Sequence, residues 1–115
     1  MIEVTVRPMN WFVKAFLAVW AFFAQSNTII GFTTYWKTVY IREGHYMDKR
    51  LLAHELTHVR QIHNLGWLKF TWGYAKEFFK NGYRNNRFEV EARHEAADRP
   101  IAVIESFKII NKLKV

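Results

Sequence analysis

The sequence predicts a mostly helical fold with a small β element, in a single domain covering residues 1–115. Three observations predict it. Most of the chain repeats apolar residues at helical spacing between capping or breaking residues, two short runs are rich in β-branched and aromatic residues, and 115 residues hold one hydrophobic core but not two. Half the residues are hydrophobic and 17% are aromatic, which excludes a disordered chain. There is no cysteine. That excludes a disulfide framework, a thiolate zinc finger, an iron–sulfur cluster and a cysteine nucleophile, and leaves His, Asp and Glu to hold any metal.

Residues 2–7 (IEVTVR) alternate and predict a short strand stopped by Pro8. Residues 11–24 (WFVKAFLAVWAFFA) predict a helix that is bulky and apolar over most of its circumference. Its fourteen residues, with Lys14 among them, fall short of the roughly 20 needed to cross a bilayer. Glu3 and Phe22 also spoil it as a cleaved leader. This helix is expected in the core, against a partner protein or lying on a membrane surface, and the protein in the cytoplasm. Residues 33–41 (TTYWKTVYI) predict one strand, and a peptide could lie along its edge. Asp48 caps a predicted helix that runs to about Asn64 and closes at Gly66. Trp67 to Lys80 predicts the next helix. Its inward face is expected to be Trp67, Phe70, Tyr74 and Phe78, backed by Leu68, Trp72 and Phe79, with Lys69, Gly73, Lys76 and Lys80 toward solvent. Asn85-Asn86 opens a helix to about Asp98. After Pro100, residues 101–112 predict a last amphipathic helix with Ile101, Ile104, Phe107 and Ile110 inward.

The formal charge is +7. Such a surface can meet nucleic acid, anionic lipid or an acidic protein. No polybasic run, stacking motif or recognition helix is present, so nucleic acid is not an expected partner.

His54-Glu55-Leu56-Thr57-His58 carries the chemistry. On a helix, positions i and i+4 share a face about 6 Å apart, so the two imidazoles can hold one zinc ion. Glu55 follows the first of them and can take a proton from a water at the metal as that water attacks a carbonyl. Leu51, Leu52, Leu56, Val59 and Ile62 bury the same helix. A third protein ligand is needed. The spacing HExxHxxGxxH is not met, because Gln61 and Asn64 occupy the Gly and third His positions, and His63 is turned about 140° away. A glutamate from a later helix is the other solution. Glu89 lies 31 residues after His58, room for one helix and a return. Asn86-x-x-Glu89 also reads as a capping box, which would occupy the same carboxylate locally. Glu91, His94 and Glu95 are the alternatives.

HELTHVRQIHNLGWLKF, followed by GYRNNRFEVEAR, resembles the small bacterial and phage-encoded zincin-like metallopeptidases of the glutamate-ligand (gluzincin) type, over residues 28–97. The resemblance implies a strand before the active-site helix, one zinc ion held by His54, His58 and Glu89, and Glu55 as general base. Two positions depart from it. Arg87 follows the Asn pair where related sequences often have proline, and Arg93 stands where larger gluzincins often carry an aspartate that orients a histidine. Such an imidazole needs a partner for its other N–H, and the sequence does not name one. Tyr83, with Arg84 beside it, is the candidate donor to a developing oxyanion. His45 has no assigned role.

The expected function is hydrolysis of a peptide bond in a peptide or protein substrate. The alternative is a non-catalytic zinc-binding structural or assembly protein, such as a virion component if the chain is phage-encoded.

Overall fold

The computed structural model describes residues 2–9, 31–33, 37–41 and 47–112. The helix expected at 11–24, His45 and residues 34–36 of the expected strand lie outside them. The order is β1 (Ile2–Pro8), β2 (Gly31–Thr33), β3 (Thr38–Ile41), α1 (Lys49–Leu65), α2 (Trp67–Asn81), α3 (Arg87–Asp98), α4 (Pro100–Glu105) and β4 (Phe107–Asn111). The fold is mostly helical with one small sheet, as expected. Among the described residues no helix is long and apolar enough to cross a membrane.

The strands form one sheet in the order β2-β3-β1-β4. β1 runs parallel to β3 and to β4, and β2 is antiparallel to β3. The run at 33–41 is therefore not one strand. Gly31 pairs with Ile41 and Thr33 with Val39, so the chain reverses between them. Lys37, at φ 60°, breaks the extended path there.

The C-terminal segment also differs from expectation. The helix after Pro100 stops at Glu105, where the Ser106 hydroxyl donates to the Val103 carbonyl. Residues 107–111 then form a strand whose register sets Ile2 opposite Phe107 and Val6 opposite Asn111. Apolar residues three apart fit a helix, but Phe107-Lys108-Ile109 also alternates. The free edge of β1 decides between them, because β4 satisfies backbone groups that a helix would leave unpaired.

α1 is the central helix and packs on α3, α4 and the sheet. Its start and stop are as the sequence predicts. Asp48 accepts from the Leu51 N–H, and Gly66, at φ 82°, returns its N–H to the Ile62 carbonyl. Ala53, Leu56 and Val59 face Val4, Val6, Val39 and Ile41 of the sheet, with Ala96, Val103 and Phe107 closing the core. A second cluster of Ile62, Phe70 and Phe88, with Tyr74 against it, joins α1, α2 and α3.

α2 faces differently from expectation. Phe70 is buried, but Leu68, Trp72 and Phe79 are exposed, as is Trp67. The helix meets its neighbours along a narrow strip through Phe70, Gly73 and Tyr74. At Gly73 an added Cβ would come within 3.2 Å of the Phe88 ring, so the absence of a side chain there sets how closely α2 and α3 approach.

Truncation tests these two burials. Leu56→Ala should cost about 2–5 kcal/mol in urea unfolding, because the side chain leaves a cavity beneath the sheet. Leu68→Ala should stay within about 0.5 kcal/mol of the parent.

Candidate metal centre

Three side chains from two helices meet at one point. His54 and His58 project from the same face of α1, with ring centroids 5.0 Å apart. The Nε2 atom of each lies 3.0 Å from Oε1 of Glu89, in the first turn of α3. The three donor atoms all fall within 4.8 Å of one another, the one cluster among the described residues suited to a metal ion. Tetrahedral zinc, with bonds near 2.0–2.2 Å, places its ligand atoms about 3.3–3.5 Å apart. The two nitrogen–oxygen separations of 3.0 Å are hydrogen-bond distances, shorter than this, so an ion would require small side-chain shifts, while two imidazoles and a carboxylate are donor types that zinc accepts.

The first turn of α3 shows that Glu89 does not close a capping box. Asn86 is the N-cap and is fully buried, but its Oδ1 accepts from the Phe88 N–H, one residue earlier than a capping box requires. The Asn86 N–H goes to the Tyr83 carbonyl. The Glu89 carboxylate is thus left for the histidines. Its second oxygen, Oε2, accepts the Tyr74 hydroxyl at 2.6 Å. The helix dipole at this end of α3 adds to its stability as an anion.

No family model, curated protein or solved structure matches the chain. What the site can do must be judged from its own atoms.

The other candidate ligands lie elsewhere. Glu91 accepts from Gln61 Nε2 at 3.0 Å, and Glu95 pairs with Arg99 at 2.9 Å. His94 and His63 are exposed. Glu55 is buried beside the cluster, and its charge is felt at His58, Tyr74 and Tyr83. Tyr83 is half-buried on the same side. Burial, then the charges of Glu89 and Glu55, push its hydroxyl upward against a smaller opposing effect of Arg93, so it stays protonated and able to donate.

Gln61 supplies what the sequence did not name. Its Oε1 lies 2.9 Å from His58 Nδ1, while its Nε2 donates to the Phe88 carbonyl and to Glu91. With both amide hydrogens committed to acceptors, the Gln61 oxygen must face the ring, so Nδ1 carries a proton. The lone pair of neutral His58 is then on Nε2, toward Glu89. Gln61 follows His58 by three residues on one helix, a spacing at which side chains meet, and that was the available signal. The sequence places Tyr74 on the inward apolar face of its helix and gives its hydroxyl no role. A buried tyrosine hydroxyl needs a partner, but nothing local names Glu89 as that partner.

Arg87 and Arg93 both have structural roles. The Arg87 N–H donates to Glu77 Oε1 at 3.2 Å, a tie between α2 and α3 that proline could not make. The guanidinium of Arg93 reaches back to the Arg84 carbonyl, away from the histidines.

The metal-free pair is charged. Burial alone would lower the His58 pKa. The hydrogen bond and charge of Glu89, the charge of Glu55 and the Gln61 contact outweigh it and raise His58 from 6.5 to about 9. Burial alone would raise Glu89, but its bonds from His54 and His58, the His58 charge and the Tyr74 hydroxyl hold it well below the ordinary value of 4.5.

The raised His58 contributes stability that is complete below pH 6.5 and is lost as pH rises through about 9. The depressed Glu89 contributes stability present above 4.5 and lost in stronger acid. Chelator-treated protein should therefore be most resistant to urea between these two values, with a midpoint that falls toward pH 9. Glu89→Gln should flatten the alkaline limb of that profile. Separately, Gln61→Leu should weaken zinc binding by about 10–100-fold in a competition titration, because His58 loses the partner that fixes its tautomer.

Proposed function

We propose that this protein is a zinc-dependent metallopeptidase that hydrolyses a peptide bond. One observation carries the reading: two imidazoles from α1 and a carboxylate from α3 converge on a common point, with Glu55 alongside. His54, His58 and Glu89 would hold the ion. Bound there, zinc would act as a Lewis acid, bringing the pKa of water to about 7 and polarising a carbonyl. Glu55 accepts the proton of the attacking water and returns it to the leaving amine. Tyr83, kept protonated, donates to the oxygen that gains negative charge. Tyr74 holds Glu89 by its second oxygen, so Oε1 keeps its aim, and Gln61 fixes the ring of His58.

The burial of His58 and Glu89 favours a second reading, a zinc site that holds the fold or an assembly together without turnover. Metal content and hydrolysis distinguish the two. The peptidase reading expects about one zinc per chain, cleavage of a peptide library, and a Glu55→Gln variant that keeps its zinc but loses cleavage by several orders of magnitude. Zinc without cleavage by the parent protein would favour the second reading, and full activity of the variant would remove Glu55 as the base.

A further inference from the structure

The outer face of α2 has no role in the site. Leu68, Trp72 and Phe79 are 66%, 75% and 86% exposed, and they follow one another at helical spacing, so they form one ridge. From Leu68 to Phe79 the ridge is about 16 Å long. Exposed apolar patches of this kind mark interaction sites. Lys69, Lys76 and Lys80 are also exposed and lie along one flank of the ridge, within about a third of a helical turn. Glu77 is the one acidic residue of α2, and its carboxylate is turned to the Arg87 N–H on the inner side.

We propose that this ridge docks the protein on an anionic lipid surface, with α2 lying in the plane of the interface. Large apolar side chains on one face and lysines at its border are the composition of an interfacial helix. Tryptophan is suited to headgroup depth, and the lysine stems can lie along the apolar zone while their ammonium groups reach phosphate. The ridge is convex, so a protein partner would have to bring a groove to it, whereas a bilayer yields around it. A second copy of the chain is disfavoured by charge. In an antiparallel face-to-face pair both rows of lysines would fall on the same side, with no carboxylate of α2 directed outward to neutralise them. The formal charge of +7 adds a long-range attraction toward the same partner. Since the opposite side of α2 presents Tyr74 to Glu89, the metal centre would lie about one helix diameter from the lipid.

Flotation with phosphatidylcholine vesicles, with and without phosphatidylglycerol, tests the proposal and requires neither zinc nor turnover. The full chain should float with the mixed vesicles, weakly with phosphatidylcholine alone, and less as salt is raised. Trp72→Ser with Phe79→Ser should weaken binding by about tenfold or more. Replacing Lys69, Lys76 and Lys80 with Gln should weaken it by about fivefold for each charge and flatten the salt dependence. All these side chains are exposed, so thermal unfolding of the variants should match the parent. Failure of the parent to bind the mixed vesicles would overturn the proposal. So would unaltered binding by the Trp72/Phe79 variant, which would assign lipid contact to another surface. A dimer in solution that the same variant dissociates would assign the ridge to a second copy instead.

Discussion

The buried carboxylate of Glu89 is the constraint on which the rest of the arrangement depends. A charge at this depth costs several kcal/mol unless its oxygens are well partnered. Here one oxygen meets two imidazoles from α1 and the other meets a hydroxyl from α2. Three helices must therefore be in place together for the charge to be tolerated. The same convergence supports the proposed metal site, since two imidazoles and a carboxylate oxygen already meet there.

The polar contacts behind this group are equally connected. Gln61 links His58 to the backbone of Phe88 and to Glu91, so the ring orientation and the α1–α3 spacing are fixed by one amide. Asn86 caps α3 with its oxygen and donates to the Tyr74 carbonyl with its nitrogen, which fixes α2 against the start of α3. Among the described residues, no buried side-chain nitrogen or oxygen is left without a partner. A network with every member satisfied is rigid, and rigidity is what a site of three converging side chains requires.

What could be read from the sequence follows the range of the interactions involved. The histidine pair, the Asp48 cap and the Gly66 stop are set by neighbours within one or two turns, and they appear as expected. That Glu89 comes within reach of the two histidines follows from a count of the residues between them, enough for one helix and a return. Tyr74 and the facing of α2 depend on how helices far apart in sequence come to rest. An amphipathic pattern with large apolar residues on several sides does not say which side turns inward. The C-terminal strand departs from the helix that its sequence predicts because a segment of five or six residues carries too little periodicity to separate spacings of two and three. The sheet edge that decides the matter lies at the other end of the chain.

That edge has a consequence for biosynthesis. β1 is made well before its partner β4, which is completed only after residue 111 has been added. At ordinary elongation rates the interval is about 5–20 s, during which β1 can pair with β3 and be covered by α1 while its other edge has no strand beside it. Closure of the sheet thus follows synthesis of all four described helices between the two strands. A frameshift or stop codon that removed β4 would leave β1 with a bare edge, open to pairing with another chain.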